Sequence, residues 1–124
     1  MRASQRPGAS SSAGVGIISS VVARVDASAA GFPLQVYVAV TLDRHGDTAY
    51  RRFRETIRAI PEVISADWVT GETDAMLLVV AREVAQLQRV LVRLSTRGGA
   101  ARVTTLLRLE ELKPMSPLPL EAPA

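Results

Sequence analysis

The stretch VTGETDAMLLVV, which runs from Val69 to Val80, begins with turn residues and continues as an almost unbroken apolar run. Gly71 and Asp74 are residue types that form tight turns, so a β-hairpin turn is predicted there. A strand with one face in water alternates apolar and polar residues, whereas residues 76–80 are all apolar. We therefore expect this strand to be central in its sheet and to be covered on both faces.

Apolar periodicity on either side of this strand predicts three more strands and two helices. The predicted strands, this one included, are residues 34–42, 63–70, 75–81 and 101–112. The first helix is predicted from Asp47 or Thr48 to Pro61, since Asp and Thr can cap a helix and Pro ends it. The second is predicted to begin near Arg82 and to stop at the Arg-Gly-Gly sequence at 97–99. The apolar stripes expected to face the sheet are Tyr50, Phe53, Ile57 and Ile60 on one helix and Val84, Leu87, Leu91 and Leu94 on the other.

The predicted order β-α-β-β-α-β is that of the ferredoxin-like, or split βαβ, α+β fold. Right-handed crossovers place both helices on one face of a four-stranded antiparallel sheet, with the first and third strands in the centre. The other face would expose apolar side chains, which is typical of an interface. We therefore expect a second copy to cover that face, in a dimer of the α/β-barrel type. The strands concerned contain Val36, Val38, Val40, Leu78 and Val80, and the sequence does not decide which alternate set faces the partner.

Composition divides the chain into four parts. Residues 1–14 are rich in Ser, Ala and Gly and are predicted to be a disordered tail. Residues 15–31 contain a β-branched run and then a small-residue turn, and we interpret them as a linker strand set apart from the main domain. Residues 32–113 are the predicted domain. Residues 114–124 form a tail in which four prolines exclude regular structure.

The composition is that of one globular domain with an aliphatic core. Of the 124 residues, 48% are hydrophobic and 4% are aromatic. The 15 basic and 12 acidic residues give a net charge of +3, which is too small to indicate nucleic-acid binding by itself. There is no Cys, which excludes disulfides, thiolate metal sites and a cysteine nucleophile. No secretory signal or long apolar run is found, so we expect a cytoplasmic protein without a membrane segment.

The turn residues Gly71, Glu72, Thr73 and Asp74 are the candidate ligand contacts. A turn exposes backbone N–H groups that can bind an α-carboxylate, and acidic side chains suit an α-ammonium group. The simpler interpretation is a plain hairpin, which explains each of these residues separately. His45 is the only His in the chain and has no Cys beside it, so neither a metal site nor a cofactor is predicted, and His45 is interpreted as a solvated loop residue.

No catalytic residues are predicted, because the sequence offers no Ser-His, Cys-His or clustered-His set. Two alternatives nevertheless share this topology: dimeric α/β-barrel enzymes of the monooxygenase or haem-handling type, and an amino-acid-sensing module of a metabolic enzyme. RNA-recognition modules of the same topology need aromatic residues on the central strands, and AMLLVVA at 75–81 has none.

Several stretches together resemble the effector-binding domain of the leucine-responsive/asparagine (Lrp/AsnC) family of bacterial transcription regulators. They are IPEVISADW before the turn, VTGETDAMLLVV itself, the EELK ending at Lys113, and GIISSVVARVDASAAGFPLQVYVAV, which is similar to the family's linking strand. The resemblance covers about residues 15–113. It implies a homodimer that can assemble into larger rings.

The resemblance also implies an effector, a small amino acid or related metabolite, bound at a subunit contact beside the turn Gly71 to Asp74. Members commonly have two hydroxyl residues in the last strand. Thr105 matches one of them and would come from a neighbouring subunit, whereas Val103 stands at the other position. Ala75 stands where the family often has an aromatic residue. We expect the loss of the hydroxyl at Val103 to weaken binding or to favour a more apolar ligand.

In the family a winged helix-turn-helix precedes the linker, whereas a short Ser/Ala/Gly-rich tail precedes it here. We therefore expect the chain to be either a truncated regulator or a stand-alone effector domain. DNA would be bound only through a helix-turn-helix domain that this chain lacks. The linker strand favours a regulator over a sensing module of a metabolic enzyme.

Overall fold

The computed structural model describes residues 27–120. After a turn at residues 27–31 it contains four strands and two helices in the predicted order. They are β1 (Leu34–Leu42), α1 (Asp47–Arg58), β2 (Val63–Trp68), β3 (Ala75–Ala81), α2 (Val84–Thr96) and β4 (Ala100–Leu107). The chain divides between Ala30 and Gly31, and all six elements belong to the second unit. The predicted disordered tail, and the predicted linker strand before residue 27, lie outside the described residues.

The four strands form one antiparallel sheet in the order β2-β3-β1-β4. β1 and β3 are therefore central, as predicted from the apolar run in β3. Val38 at the middle of β1 lies opposite Leu77 of β3 on one side and opposite Thr105 of β4 on the other. The element order and this sheet confirm the predicted ferredoxin-like α+β fold.

Both helices pack on one face of the sheet. Residues that lie opposite each other on neighbouring strands point to the same side. Val36, Val38 and Val40 and their partners on β3 are buried, and they share one hydrophobic core with residues of the helical layer. The helical residues buried in this core are Phe53, Val90 and Leu94, and Ile60, just after α1, is buried with them. All four residues predicted to face the sheet from the first helical stripe are buried or packed against the core.

The second helical stripe was predicted partly wrongly. Val84 is 60% exposed, whereas Gln86, Val90 and Leu94 are the buried residues of α2. Gln86 can be buried because its polar atoms are bonded: Oε1 accepts a hydrogen bond from Arg82 N at 2.6 Å, and Nε2 donates one to Glu62 Oε2 at 3.1 Å. The apolar periodicity of the sequence did not predict that Gln86 is buried, because this residue is polar.

The helix starts also differ from the prediction. Gly46 is the N-cap of α1, with φ 115°, and neither Asp47 nor Thr48 caps the helix with its side chain. Asp47 instead lies in the first turn, where its negative charge is favourable beside the helix N-terminus. The second helix begins at Val84 rather than near Arg82, with Glu83 as its N-cap.

The face of the sheet opposite the helices is apolar at its centre and carries no other helix or strand of residues 27–120. Tyr37 of β1 lies opposite Leu78 of β3 and Leu106 of β4, so all three point to this side. Tyr37 and Leu106 are exposed and Leu78 is half-buried. The sequence did not decide which alternate residues of each central strand face the helices. In the structure Val36, Val38 and Val40 face the helices, and Leu78 and Val80 belong to the open face.

β4 is shorter than predicted. It ends at Leu107, although Arg108 N still donates a hydrogen bond to Gln35 O at 2.8 Å. The following residues to 120 contain no helix or strand, and their apolar side chains are exposed. We call residues 109–120 the C-terminal segment.

Candidate functional site

The turn between β2 and β3 depends on a glycine conformation. Gly71 has φ 111°, a value that L-residues with a side chain rarely adopt, and a Cβ at this position would meet no atom within 4 Å. Val69 N donates a hydrogen bond to Asp74 O at 3.0 Å and closes the turn. The backbone at Gly71 is therefore open to solvent and free for a ligand to approach.

Asp74 fastens this turn to the central strand β1. Its backbone N–H donates to Val40 O at 2.9 Å, and its Oδ2 accepts from Leu42 N at 2.8 Å. Thr41 Oγ1 adds a longer hydrogen bond of 3.4 Å to Glu72 O. The side chain of Asp74 is only 23% exposed, and its carboxylate holds the backbone N–H of Leu42.

His45 approaches the same carboxylate, which the sequence did not indicate. Its Nε2 lies 3.1 Å from Asp74 Oδ2, and its ring packs edge-on against Tyr50 with centroids 6.2 Å apart. His45 lies in a loop with a side chain that is 55% exposed, which agrees with its interpretation as a solvated loop residue, and the contact with Asp74 is an addition to that interpretation. Because His45 and Asp74 are 29 residues apart, only the pairing of β1 with β3 brings them together.

The predicted ligand residues fall into two places within one chain. Gly71, Glu72, Thr73 and Asp74 lie together in the turn, where Gly71 and Glu72 are exposed and Thr73 and Asp74 are half-buried. Thr105 lies on β4, on the far side of β1 from the turn. It is exposed and points to the helix side of the sheet, as its partner Val38 does. A ligand in contact with both would have to take Thr105 from another copy.

Two concave surfaces lie near the turn, and neither is lined by residues 71–74. A groove of about 340 Å³ runs between α1 and β2, and a smaller cavity of about 220 Å³ lies beside His45 at the start of α1. Arg52 at the smaller cavity is anchored, since its Nε donates to Arg97 O at 2.6 Å and its Nη2 to Thr96 O at 3.1 Å.

Within residues 27–120 there is no group of three His, Asp or Glu side chains placed to hold a metal ion. Over the same residues, neither helix is long and apolar enough to cross a membrane.

Replacing Asp74 by Ala is expected to lower the free energy of unfolding by about 1–3 kcal/mol, because the partly buried Leu42 N–H loses its acceptor. Asp74→Asn keeps an acceptor oxygen and should lose less. Glu72→Ala is the matched control in the same turn, since that side chain is exposed, and it should change stability by less than about 0.5 kcal/mol. Urea unfolding measures all three, and equal losses for Asp74→Ala and Glu72→Ala would contradict the role assigned to Asp74.

Comparison with known proteins identifies the family. The family model of the Lrp/AsnC ligand binding domain matches residues 35–118. The HTH-type transcriptional regulator Rv2324 of Mycobacterium tuberculosis is 33% identical over 97 residues, which are 78% of this chain and 64% of that protein. The chain therefore spans less than two thirds of this relative's length.

Two solved structures similar to this chain contain methionine according to their descriptions. The transcriptional regulator NMB0573 of Neisseria meningitidis, in complex with L-Met, is 28% identical with a TM-score of 0.75, and the match covers 85% of this chain and 68% of that one. The feast or famine regulatory protein Rv3291c of M. tuberculosis, complexed with L-methionine, is 29% identical with a TM-score of 0.63, covering 73% of this chain and 60% of that one. All three similar proteins are described as regulators, and none of them as an enzyme.

Proposed function

Because this chain belongs to the Lrp/AsnC ligand-binding domain family, we propose that it senses an amino-acid effector and assembles with further copies of itself as part of a transcription regulator. The observation that carries this proposal is the matched segment 35–118, which contains both the open turn at Gly71 and the open apolar face of the sheet. In the whole protein, DNA recognition would belong to a helix-turn-helix domain, as the name of the relative Rv2324 suggests.

The proposed effector is an α-amino acid with an apolar side chain. The backbone at Gly71 is accessible, and the acidic side chains of Glu72 and Asp74 suit an α-ammonium group. Thr105 of a neighbouring copy would add a hydroxyl contact. Each charge-assisted hydrogen bond contributes roughly 1.5–3 kcal/mol, so a few of them support micromolar to millimolar binding.

An apolar effector also agrees with the last strand. Val103, which replaces one of the two hydroxyl residues common in the family, is half-buried and packs against the core. It offers no hydrogen bond to a polar ligand side chain. The methionine in the two similar structures makes L-methionine the first ligand to test.

We expect calorimetric titration of the full chain with the twenty amino acids to give saturable heat with L-methionine and weaker or no heat with acidic side chains. N-acetyl-L-methionine has the same side chain but lacks the ammonium group, so it should not bind. It is the control that separates recognition of the α-ammonium from nonspecific apolar contact. If no amino acid binds, or if N-acetyl-L-methionine binds as tightly as L-methionine, the proposed effector class is wrong.

The second part of the proposal is a dimer through the sheets. The helices cover only one face, and the other exposes Tyr37 and Leu106 beside Leu78. An apolar surface of this kind marks an interface in soluble proteins. Since the same face of each copy would meet, the contact is self-complementary and closes as a two-fold dimer.

A further inference from the structure

The groove between α1 and β2 lies along the free edge of the sheet. β2 is an edge strand, so one row of its backbone N–H and C=O groups points away from β3. The groove lies between this strand and α1, and its floor is apolar. Its lining includes Phe53, Ile57, Val63, Ile64 and Trp68.

Trp68 is presented in this groove in a fixed position. It is 46% exposed, although its ring is packed against Tyr50 and Phe53 with centroids 5.2 and 5.6 Å away. Ile64, on the same strand, is also exposed. A rigid, partly exposed aromatic ring beside an apolar floor is the kind of surface that binds extended, proline-rich segments.

The C-terminal segment has the matching pattern. Its apolar residues Leu109, Leu112, Met115 and Leu118 recur at every third position and are between 74% and 93% exposed. Prolines at 114, 117 and 119 favour the polyproline II conformation, which has three residues per turn. In that conformation the four apolar side chains line one edge of the segment, and a continuous apolar edge of this kind is typical of a docking sequence.

Charge supports the same pairing. Arg54 and Arg58 of α1 line the groove, with one acidic residue, Asp67, on the opposite strand. The second and third residues of the C-terminal segment are Glu110 and Glu111, its one basic residue is Lys113, and Glu111 already accepts a hydrogen bond from Arg108 Nη2 at 2.9 Å. A net positive groove would thus meet a segment whose first charged residues are acidic.

We propose that the C-terminal segment of a second copy lies in the groove between α1 and β2, with its apolar edge against Trp68 and its acidic residues toward Arg54 and Arg58. This inference rests on the dimer of the proposed function. The groove would then be completed only by assembly.

The order of the strands separates the chain's own segment from the groove. The segment leaves β4, which lies three strand spacings, or about 14 Å, from β2 across the sheet. In the structure its apolar residues remain exposed. When two such sheets stack face to face about an axis parallel to their strands, the β4 edge of one copy lies over the β2 edge of the other. In that arrangement the partner's segment starts at the edge strand β2 that borders the groove, on the open side of the sheet, and would pass around this edge to enter it.

Trp68 is the only Trp in the chain, so its fluorescence reports directly on the groove. In the full chain, the double variant Leu112→Asp/Leu118→Asp is expected to shift Trp68 emission to longer wavelength and to increase its quenching by acrylamide. Ser116→Asp places one carboxylate off the apolar edge and should leave both emission and quenching unchanged. Identical emission and quenching for the double variant and the parent would overturn the proposal.

Cysteine pairs distinguish the source of the segment, because the natural chain has no Cys. With Ile64→Cys and Met115→Cys in one full chain, a short thiol crosslinker should give covalent dimers well above those of either single variant. An internal crosslink within a monomer would show that the chain's own segment fills the groove, and no crosslink above the single variants would show that neither does. Both results overturn the proposal.

Light scattering on the same samples keeps this inference separate from the proposed function. If the protein is a dimer and the fluorescence of Trp68 does not respond to the C-terminal substitutions, only the binding of the segment in the groove is contradicted. A monomer would contradict the proposed assembly itself. A proline-rich peptide of unrelated sequence can be added to the double variant. If the parent dimerises and this peptide protects Trp68 from acrylamide as well as the chain's own segment does in the parent, the groove serves another protein instead.

Discussion

Leu78→Asp is expected to convert the proposed dimer into monomers that remain folded. Leu78 is on the open face, between Tyr37 of β1 and Ser65 of β2 in the register of the sheet. In a face-to-face dimer each copy would bring one carboxylate into an apolar interface without a partner charge, at a cost of roughly 3–5 kcal/mol each. The dissociation constant should therefore rise by ~100-fold or more. Light scattering over a range of concentrations measures the change.

Val92→Asp is the matched control for this experiment. Val92 is also an exposed aliphatic residue, but it lies on α2, in the layer on the opposite side of the sheet. A carboxylate at this position should leave the mass measured by light scattering equal to that of the parent. Circular dichroism of both variants tests whether the fold survives. A folded Leu78→Asp variant that keeps the parent mass would show that the open face is not the subunit contact.

Gly71→Arg is expected to abolish effector binding and leave the dimer intact. The position has φ 111°, so a residue with a Cβ is strained there, by about 1–3 kcal/mol, and the turn must change its backbone conformation. The Arg side chain would also bring a positive charge to the place proposed for an ammonium group. Since the space around Gly71 is open, the sheet and the core are not disturbed. Calorimetric titration with L-methionine measures the loss.

Gly31→Arg provides the control for backbone strain. Gly31 has a similar φ of 95° and equally open surroundings, but it precedes β1 and is not part of the turn. Gly31→Arg should lose about the same stability as Gly71→Arg and still bind the ligand. Retention of binding by Gly71→Arg, or loss of binding by both variants, would place the effector elsewhere.

The sequence was informative wherever local apolar patterning decides the structure. The run in β3 indicated a central strand, and the helical spacing of Phe53 and Ile60 located the layer that covers it. The pattern failed at α2, where the polar residue Gln86 is buried. A burial of this kind depends on hydrogen bonds to Arg82 and Glu62, and apolar periodicity carries no information about them.

The candidate site was predictable only in part for a related reason. Gly71 to Asp74 are adjacent in sequence, so their turn could be predicted from residue types alone. The contact of His45 with Asp74 depends on the register of β1 against β3, which a single sequence does not specify. The position of Thr105 across β1 likewise follows from the order of strands, and its proposed contact with a ligand depends on a second copy.

The attachment of the turn to β1 has a mechanical consequence. Hydrogen bonds join Asp74 to Val40 and Leu42, so the turn and the end of this strand move together. β1 also carries Tyr37 on the open face and pairs with β4 along its other edge. In the proposed dimer, an effector that displaces the turn would therefore displace a strand at the subunit contact. By thermodynamic reciprocity, the arrangement of copies that the effector favours is also the arrangement that holds the effector more tightly.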